Sequence, residues 1–439
     1  MGAKIHAAEP AAPCRPNVIV VYTDDQGSID MNCYGANDLV TPNMDGLARR
    51  GLRFTQFYSA APVCSPSRAA MLTGRCPQRA GVPGNVSSTR GDAGMPAEQV
   101  TLAEMFKAAG YTTAHIGKWH LGYTPETMPN AQGFDSSLGH MGGCIDNYSH
   151  FFYWAGPNRH DLWRDGTEIH RDGRFFPELM VEEASAFLEK NKDRSFFLYF
   201  AMNMPHYPYQ GYEKWLRHYQ DLAYPRNLYA AFLSTLDENL GKLLAKVDAL
   251  GLRDNTIIVL QSDNGYSTEE RAHFGGGNSG PYRGGKFSLF EGGIRLPAII
   301  SWPGQLPENE VRSQMATACD WMPTLAELCQ VPLPQHKLDG KSIVPVLRSA
   351  TVPSPHTVFH WQTGGAKSPS WAVREGAWKL LGNPRDTLAK KPLPKEDRLF
   401  LVNVEQDPGE TKNLAGQHPQ MVERLEQLHR QWIEEVEHQ

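Results

Sequence analysis

Val63-Cys64-Ser65-Pro66-Ser67-Arg68, followed by Leu72-Thr73-Gly74-Arg75, sets a thiol just before a proline suited to the first turn of a helix. Ser67 to Leu72 can continue that helix. Unpaired backbone N–H groups and the positive dipole end gather at its start, a natural place to hold an oxyanion. Arg68, one turn along, can bring a fixed charge to the same spot. Asp24-Asp25 puts two like charges side by side, a repulsion that a cation relieves. Asp263-Asn264 adds a further carboxylate and an amide oxygen. This all-oxygen set suits Ca2+ or Mg2+ rather than zinc. Taken alone, His206 and His120 read as packed imidazoles and Lys118 as a solvated lysine. Gly284-Gly285-Lys286 is more informative, because the glycines let backbone approach a ligand and Lys286 supplies charge there. It lacks Walker A spacing and is not a nucleotide site.

Elements must bring these residues together. Four apolar runs end directly in polar residues: Asn17–Tyr22 before Asp24-Asp25, Tyr111–Ile116 before Lys118 and His120, Ser195–Phe200 before His206, and Thr256–Leu260 before Asp263-Asn264. Such continuous β-branched and aromatic runs predict strands buried on both faces, as in a parallel sheet. Thr101-Leu102-Ala103-Glu104 predicts a capping box opening a helix that Gly110 ends. Leu228–Ala249 predicts a second helix, with Leu236, Leu240, Leu243, Leu244 and Val247 on one side. Alternating strands and helices give an α/β domain, whose ligands gather beyond the carboxyl ends of the strands. That rule converges the four polar clusters on one crevice.

The 439 residues suffice for one large domain and a smaller one. The net charge of −5 argues against a nucleic-acid binder. No apolar run approaches a membrane span, so no membrane partner is expected. Met1–Pro13 lacks the apolar core of a secretory signal. The expectation is therefore a periplasmic or secreted protein whose signal is absent from this sequence, or else a cytoplasmic one. Seven cysteines show no zinc-ligand spacing, and the six besides Cys64 permit disulfides without requiring them. Asn85-Val86-Ser87 and Asn147-Tyr148-Ser149 match the glycosylation sequon, a triplet common by chance.

The Cys-Ser-Pro-Ser-Arg core and the order of motifs from Asn17 to about Pro303 resemble the type I sulfatases of the alkaline-phosphatase superfamily. The resemblance implies a large, mixed but mainly parallel sheet sandwiched by helices over residues 14–350. It also implies a C-terminal subdomain over 351–439 with an antiparallel sheet and closing helix. In that family the cysteine is oxidised to formylglycine by a maturation enzyme, either formylglycine-generating or anaerobic, so Cys64 resembles a convertible cysteine. Asp24, Asp25, Asp263 and Asn264, with the modified residue 64 beside them, look like the family's metal ligands, usually assigned to calcium, with Mg2+ as the alternative. Arg68, Lys118, His120, His206 and Lys286 fall on its sulfate-binding and proton-transfer positions. The implied chemistry is attack on sulfur by the aldehyde hydrate, deprotonated with help from Asp263, through a covalent sulfo-enzyme intermediate. His206, with Lys286, would protonate the departing alcohol, and His120 would take the proton of the second hydroxyl. Many relatives place a small polar residue in the pocket after Gly133-Phe134-Asp135. Here the stretch reads His140-Met141-Gly142-Gly143-Cys144.

In the C-terminal part, Trp371–Leu380 and Arg398–Asn403 read as strands, Asp407–Glu410 as a turn and Met421–Val436 as an amphipathic helix. Loops of that subdomain commonly help line the family's pocket, which makes His360, Trp361, Gln362, Trp371 and Arg374 substrate-contact candidates. Aromatic packing at a domain interface is the competing reading. Trp154, Trp163, Trp361 and Trp371 could stack against sugar faces, and the family's frequent carbohydrate substrates favour an O-sulfate on a galactose- or hexosamine-type residue. Two rivals share these features. One is a phosphodiesterase or phosphonate hydrolase on the same scaffold, and the other a non-catalytic binder of sulfated glycans with Cys64 unconverted.

Overall fold

The computed structural model describes residues 15–153, 158–364 and 368–437. Trp154 and Cys14 lie outside the described residues. The four apolar runs form strands Asn17–Thr23, Thr112–Lys118, Phe196–Ala201 and Thr256–Ser262. With Ser136–His140 they make the parallel centre of an eleven-stranded sheet among the described residues. The strands Arg295–Ser301 and Leu52–Tyr58 extend it antiparallel on one side. Short antiparallel strands at Trp163–Arg164 and Thr167–Glu168 close the other.

Burial of both faces explains why these strands read as continuous apolar runs. Val18, Val20 and Tyr22 join one hydrophobic cluster, with Met71 and Leu72, Phe106 and Trp321 from the covering helices. Ile19 and Val21 join the other, with Met44, Met180, Leu236, Leu240 and Leu243. The capping box forms as expected: the Thr101 hydroxyl accepts from the Glu104 N–H at 3.1 Å, and the Glu104 carboxylate accepts from the Thr101 N–H at 2.7 Å. Gly110 follows in the left-handed region. The long helix spans Arg226–Ala249 and buries all of Leu236, Leu240, Leu243, Leu244 and Val247.

A four-stranded antiparallel sheet, Val358–Thr363, Ser370–Glu375, Trp378–Gly382 and Leu399–Asn403, packs between the large domain and the helix Pro419–Glu437. The stretch Trp371–Leu380 is thus two strands rather than one. Gly376, with φ 57°, makes the left-handed turn between them, which a period-two pattern alone does not reveal. The six described cysteines, Cys33, Cys64, Cys76, Cys144, Cys319 and Cys329, are all free. Among the described residues no helix is long and apolar enough to cross a membrane.

Candidate active site

The parallel register is what assembles the site. Thr23 pairs with Ser262, and the Asp263 N–H donates to the Thr23 carbonyl at 3.0 Å, so Asp24, Asp25, Asp263 and Asn264 emerge together at the carboxyl end of two adjacent strands. The strand ending in Ala201 flanks them on the other side and leads to His206, while the strand ending in Lys118 leads to His120. Asp25 has φ 62°, a left-handed conformation that Asp tolerates better than most residues. Its N–H donates to Asp263 Oδ1 at 3.1 Å.

Cys64 is the first residue of the helix Cys64–Thr73, with extended Val63 as its N-cap. Its Sγ lies 3.7 Å from Asp24 Oδ1. Arg68, one turn on and fully buried, reaches Asp263 Oδ2 at 2.9 Å and Asp24 Oδ1 at 3.5 Å. Lys118 Nζ sits 2.7 Å from Asp24 Oδ2, and Lys286 Nζ 2.9 Å from Asp25 Oδ2. His206 Nε2 is 3.6 Å from that same Asp25 oxygen, and its Nδ1 lies 2.8 Å from the Tyr207 carbonyl. A carbonyl only accepts, so His206 Nδ1 carries the hydrogen and Nε2 is the nitrogen free for chemistry. His120 takes a left-handed backbone with φ 54°, and its Nδ1 is buried without a partner. Gly143 leaves room for that ring: a Cβ there would lie 2.8 Å from His120 Cε1.

The charges are arranged to need company. Asp24, Asp25 and Asp263 are buried against Arg68, Lys118 and Lys286. Burial alone would raise the Asp24 carboxyl, but Lys118, His206, Arg68 and Lys286 outweigh it and hold it well below the usual range. Burial pushes Asp25 up to about 6, Asp24 adding to the rise while Lys286 opposes it. Asp263 rises to about 7, from burial first and the Asp24 charge second. The same burial pushes the Cys64 thiol up, against the pull of Lys118 and Lys286. Burial and Lys286 hold His206 well below its usual value, and burial and Lys118 do so for His120. Lys286 is held well above the normal lysine value, because Asp25 and its other neighbours outweigh burial.

A divalent cation fits this set. Asn264 donates its amide N–H to Asp25 Oδ1 at 2.6 Å, while its Oδ1 is buried with no partner. An orphaned carbonyl oxygen beside three buried carboxylates is the pattern of a hard-cation site. Such an ion would also turn a balanced set of three carboxylates and three cations into one with surplus positive charge.

A cavity of about 300 Å³ opens over these groups, lined by Cys64, His120, His206 and Lys286. Residues the sequence did not single out help complete its wall: Ser88 and Thr89, Phe152 and Arg159, and Tyr207 and Glu269. Asn85, noted only as a sequon, lines it too and accepts from the Ser65 N–H at 3.1 Å. The stretch after Gly133-Phe134-Asp135 does reach the pocket, through Gly143 and Cys144. Little in the sequence marks the other wall residues, since they come from loops far apart in the chain.

The five C-terminal substrate candidates lie elsewhere. Trp361 is buried at the seam, donating to the Ser59 carbonyl at 2.8 Å and packing on Tyr58. Arg374 donates to the Tyr58 hydroxyl and to Gln56. Trp371 stacks on His429, and His360 on Trp432. The Gln362 carbonyl accepts from Gln78 at 2.8 Å. None lines the cavity, because their sheet uses both faces for packing, one against the large domain and one against the final helix. Trp163 stacks edge-on against Tyr123, likewise away from the cavity lining.

The Sulfatase family model matches residues 16–331, and the model for the N-sulphoglucosamine sulphohydrolase C-terminal region matches residues 284–439. The chain belongs to the sulfatase family. It is 34% identical to human arylsulfatase A over 94% of this chain and 87% of that protein. It is also 34% identical to human N-acetylgalactosamine-6-sulfatase, over 76% of this chain and 66% of that one. Among solved structures, Ps i-CgsB is similar with a TM-score of 0.85 and 29% identity, covering 95% of this chain and 92% of that chain. This sulfatase is accordingly a sulfuric ester hydrolase, and the cavity above Cys64 is its candidate active site.

Proposed function

We propose that this sulfatase hydrolyses an O-sulfate ester on a saccharide of galactose or N-acetylhexosamine type. In this reading position 64 is converted to formylglycine, and Asp24, Asp25, Asp263 and Asn264, beside residue 64, hold Ca2+, with Mg2+ as the alternative ion. The observation that carries it is the convergence of Cys64, the buried carboxylates and Lys118, His120, His206 and Lys286 on one cavity, with the Asn264 carbonyl oxygen left unpartnered. A thiol whose pKa is raised by burial is a poor nucleophile, which supports chemistry by a modified side chain.

When bound, the cation supplies charge that polarises the sulfate oxygens. The hydrated aldehyde supplies an oxygen nucleophile together with a second hydroxyl. Arg68, Lys118 and Lys286, fixed by their carboxylate partners, hold the sulfate and meet the charge that develops as the ester bond breaks. Asp263, one of the carboxylates whose charge acts on residue 64, is the candidate to take the nucleophile's proton. His206 presents Nε2 to the cavity. Lys286, which shares Asp25 Oδ2 with it, would supply the proton that passes through His206 Nε2 to the leaving alcohol. His120, neutral at working pH, accepts a proton at the opposite step.

Support for a sugar comes from the hydroxyl and amide groups of the wall and from relatives. One is named as an N-acetylgalactosamine-6-sulfatase, and Ps i-CgsB has been solved in complex with k-i-k-neocarrahexaose. The cavity is at the small end of ligand pockets, about 300–1,000 Å³, which favours a single sulfated unit. A panel of sulfated mono- and disaccharides differing in sugar and sulfate position tests the reading. Sulfate release from at least one galactose or N-acetylhexosamine sulfate is expected. Turnover confined to phosphate diesters would overturn it.

A further inference from the structure

Behind the cavity wall lies a second cluster of metal-ligating side chains. The strands Phe151–Phe152 and Arg159–His160 pair antiparallel, with Phe151 opposite His160 and Phe152 opposite Arg159. Phe152 and Arg159 face the cavity. Strand alternation sends His160, next to Arg159, to the other side, and His150 immediately precedes the first strand. There, one ligand atom from each of His150, His160 and Asp172 lies within 4.8 Å of the others.

Both imidazoles are set up as ligands. His150 Nε2 lies 3.0 Å from the Arg174 carbonyl, which can only accept, so Nε2 carries the hydrogen and Nδ1 keeps its lone pair. His160 Nδ1 lies 3.1 Å from Glu168 Oε1, so its lone pair is on Nε2. Each lone-pair nitrogen, His150 Nδ1 and His160 Nε2, is buried without a hydrogen-bond partner. Arg90 Nη2, 2.6 Å from the same Glu168 oxygen, fixes the carboxylate that orients His160. A carbonyl or carboxylate behind each ring is the outer shell that metal-binding histidines use. The Asp172 side chain, 70% exposed and 3.8 Å from His160 Nε2, supplies charge and an entry path.

We propose that His150, His160 and Asp172 form a second metal site, separate from the catalytic one, that takes one Zn2+-like divalent cation and staples the hairpin walling the cavity. Two imidazoles and a carboxylate suit zinc rather than calcium, and a water would complete a tetrahedral set. His170 stacks on the His160 ring at 4.2 Å and could join Glu168 in a rival set. Glu168 is already engaged by Arg90 and His160, which favours Asp172.

The test is a Zn2+ titration of the full chain, stripped of metal and held in excess Ca2+, read by competition with a chromogenic chelator and by the visible absorption of bound Co2+. One tight equivalent per chain is expected. His150→Gln and His160→Gln should each abolish it, Glu168→Gln should weaken it about 10–100-fold, and His170→Ala should leave it unchanged. Asp172→Asn alters an exposed side chain and spares the fold. It should remove the tetrahedral Co2+ spectrum and the rise in Tm that Zn2+ gives the wild type. No saturable Zn2+ binding in Ca2+ overturns the site, as does binding that survives both His→Gln changes. Loss of binding in His170→Ala instead overturns the proposed ligand set.

Discussion

Cys64 and His206 carry the proposed chemistry, and each makes a separable prediction. Cys64→Ala deletes only Sγ from the first turn of a buried helix, so the protein should fold and melt as the wild type does while sulfate release is abolished. Near-normal turnover on a sulfate ester would sink the proposed nucleophile. Mass analysis of the peptide carrying residue 64, from protein made in its native host, reads the conversion directly. His206→Ala leaves Arg68, Lys118 and Lys286, the proposed sulfate-holding groups, in place. It should therefore slow alkyl and sugar sulfates, whose alcohols need a proton, by roughly 10²–10⁴-fold. Activated aryl sulfates should be hurt far less. Equal losses on both classes would remove His206 from the acid role.

At the scale of elements, the site is a property of strand ends and of the loops that close over them. Gly143 lies in such a loop, and a methyl group there intrudes on the His120 ring. Gly143→Ala should cost up to about a hundredfold in kcat through that displacement, with little change in Tm. The carboxylates beyond Thr23 and Ser262 repel one another in the absence of a cation, so ion binding should report on the fold. Adding Ca2+ at a hundred times its Kd should stabilise the protein by about 2.7 kcal/mol, raising Tm. Asp263→Asn should lose most of that shift, and chelation should reverse it in the wild type. A Tm insensitive to Ca2+ and Mg2+ alike would argue against the ligand set.

Over the whole molecule, the small sheet is locked to the large domain by a buried ion cluster. Lys379 Nζ lies 2.9 Å from Glu291 and 3.0 Å from Glu410, with all three side chains buried. The Tyr58 hydroxyl donates to Glu291 at 2.6 Å, and Arg374 in turn donates to Tyr58. Arg374, first read as a substrate contact, thus belongs to this lock. Lys379→Met would leave the buried Glu410 without its cation, while Glu291 keeps Arg295 at 3.3 Å, and should cost about 3–5 kcal/mol in stability, read by denaturant unfolding. Burial, with Glu291 adding, lifts Glu410 to about 7, against the pull of Lys379. A folded pKa above the ordinary 4.5 means that its contribution is complete below 4.5 and is lost as pH rises through about 7. Unfolding temperature should fall across that window in the wild type and be flatter in Glu410→Gln.

The residues around Cys64 and the four strand-end clusters were legible in the sequence because their signals are local. A buried parallel strand must be apolar throughout, so the polar residues at its end stand out, and the Thr101 capping box is written in four consecutive positions. The sequence therefore determined the class of fold, the proposed nucleophile position and the charged residues that gather around it. It did not determine which side chains wall the cavity or what the C-terminal aromatics do. Trp361, Trp371 and His360 carry the same residue types whether they stack on a sugar or on each other. Only the placement of their sheet between two packed surfaces chose the second. Ser88, Phe152, Arg159 and Glu269 meet at the cavity solely through long-range packing, which no local pattern encodes. The tertiary structure alone decided those contacts, because they depend on how loops from distant segments fall over one end of a sheet.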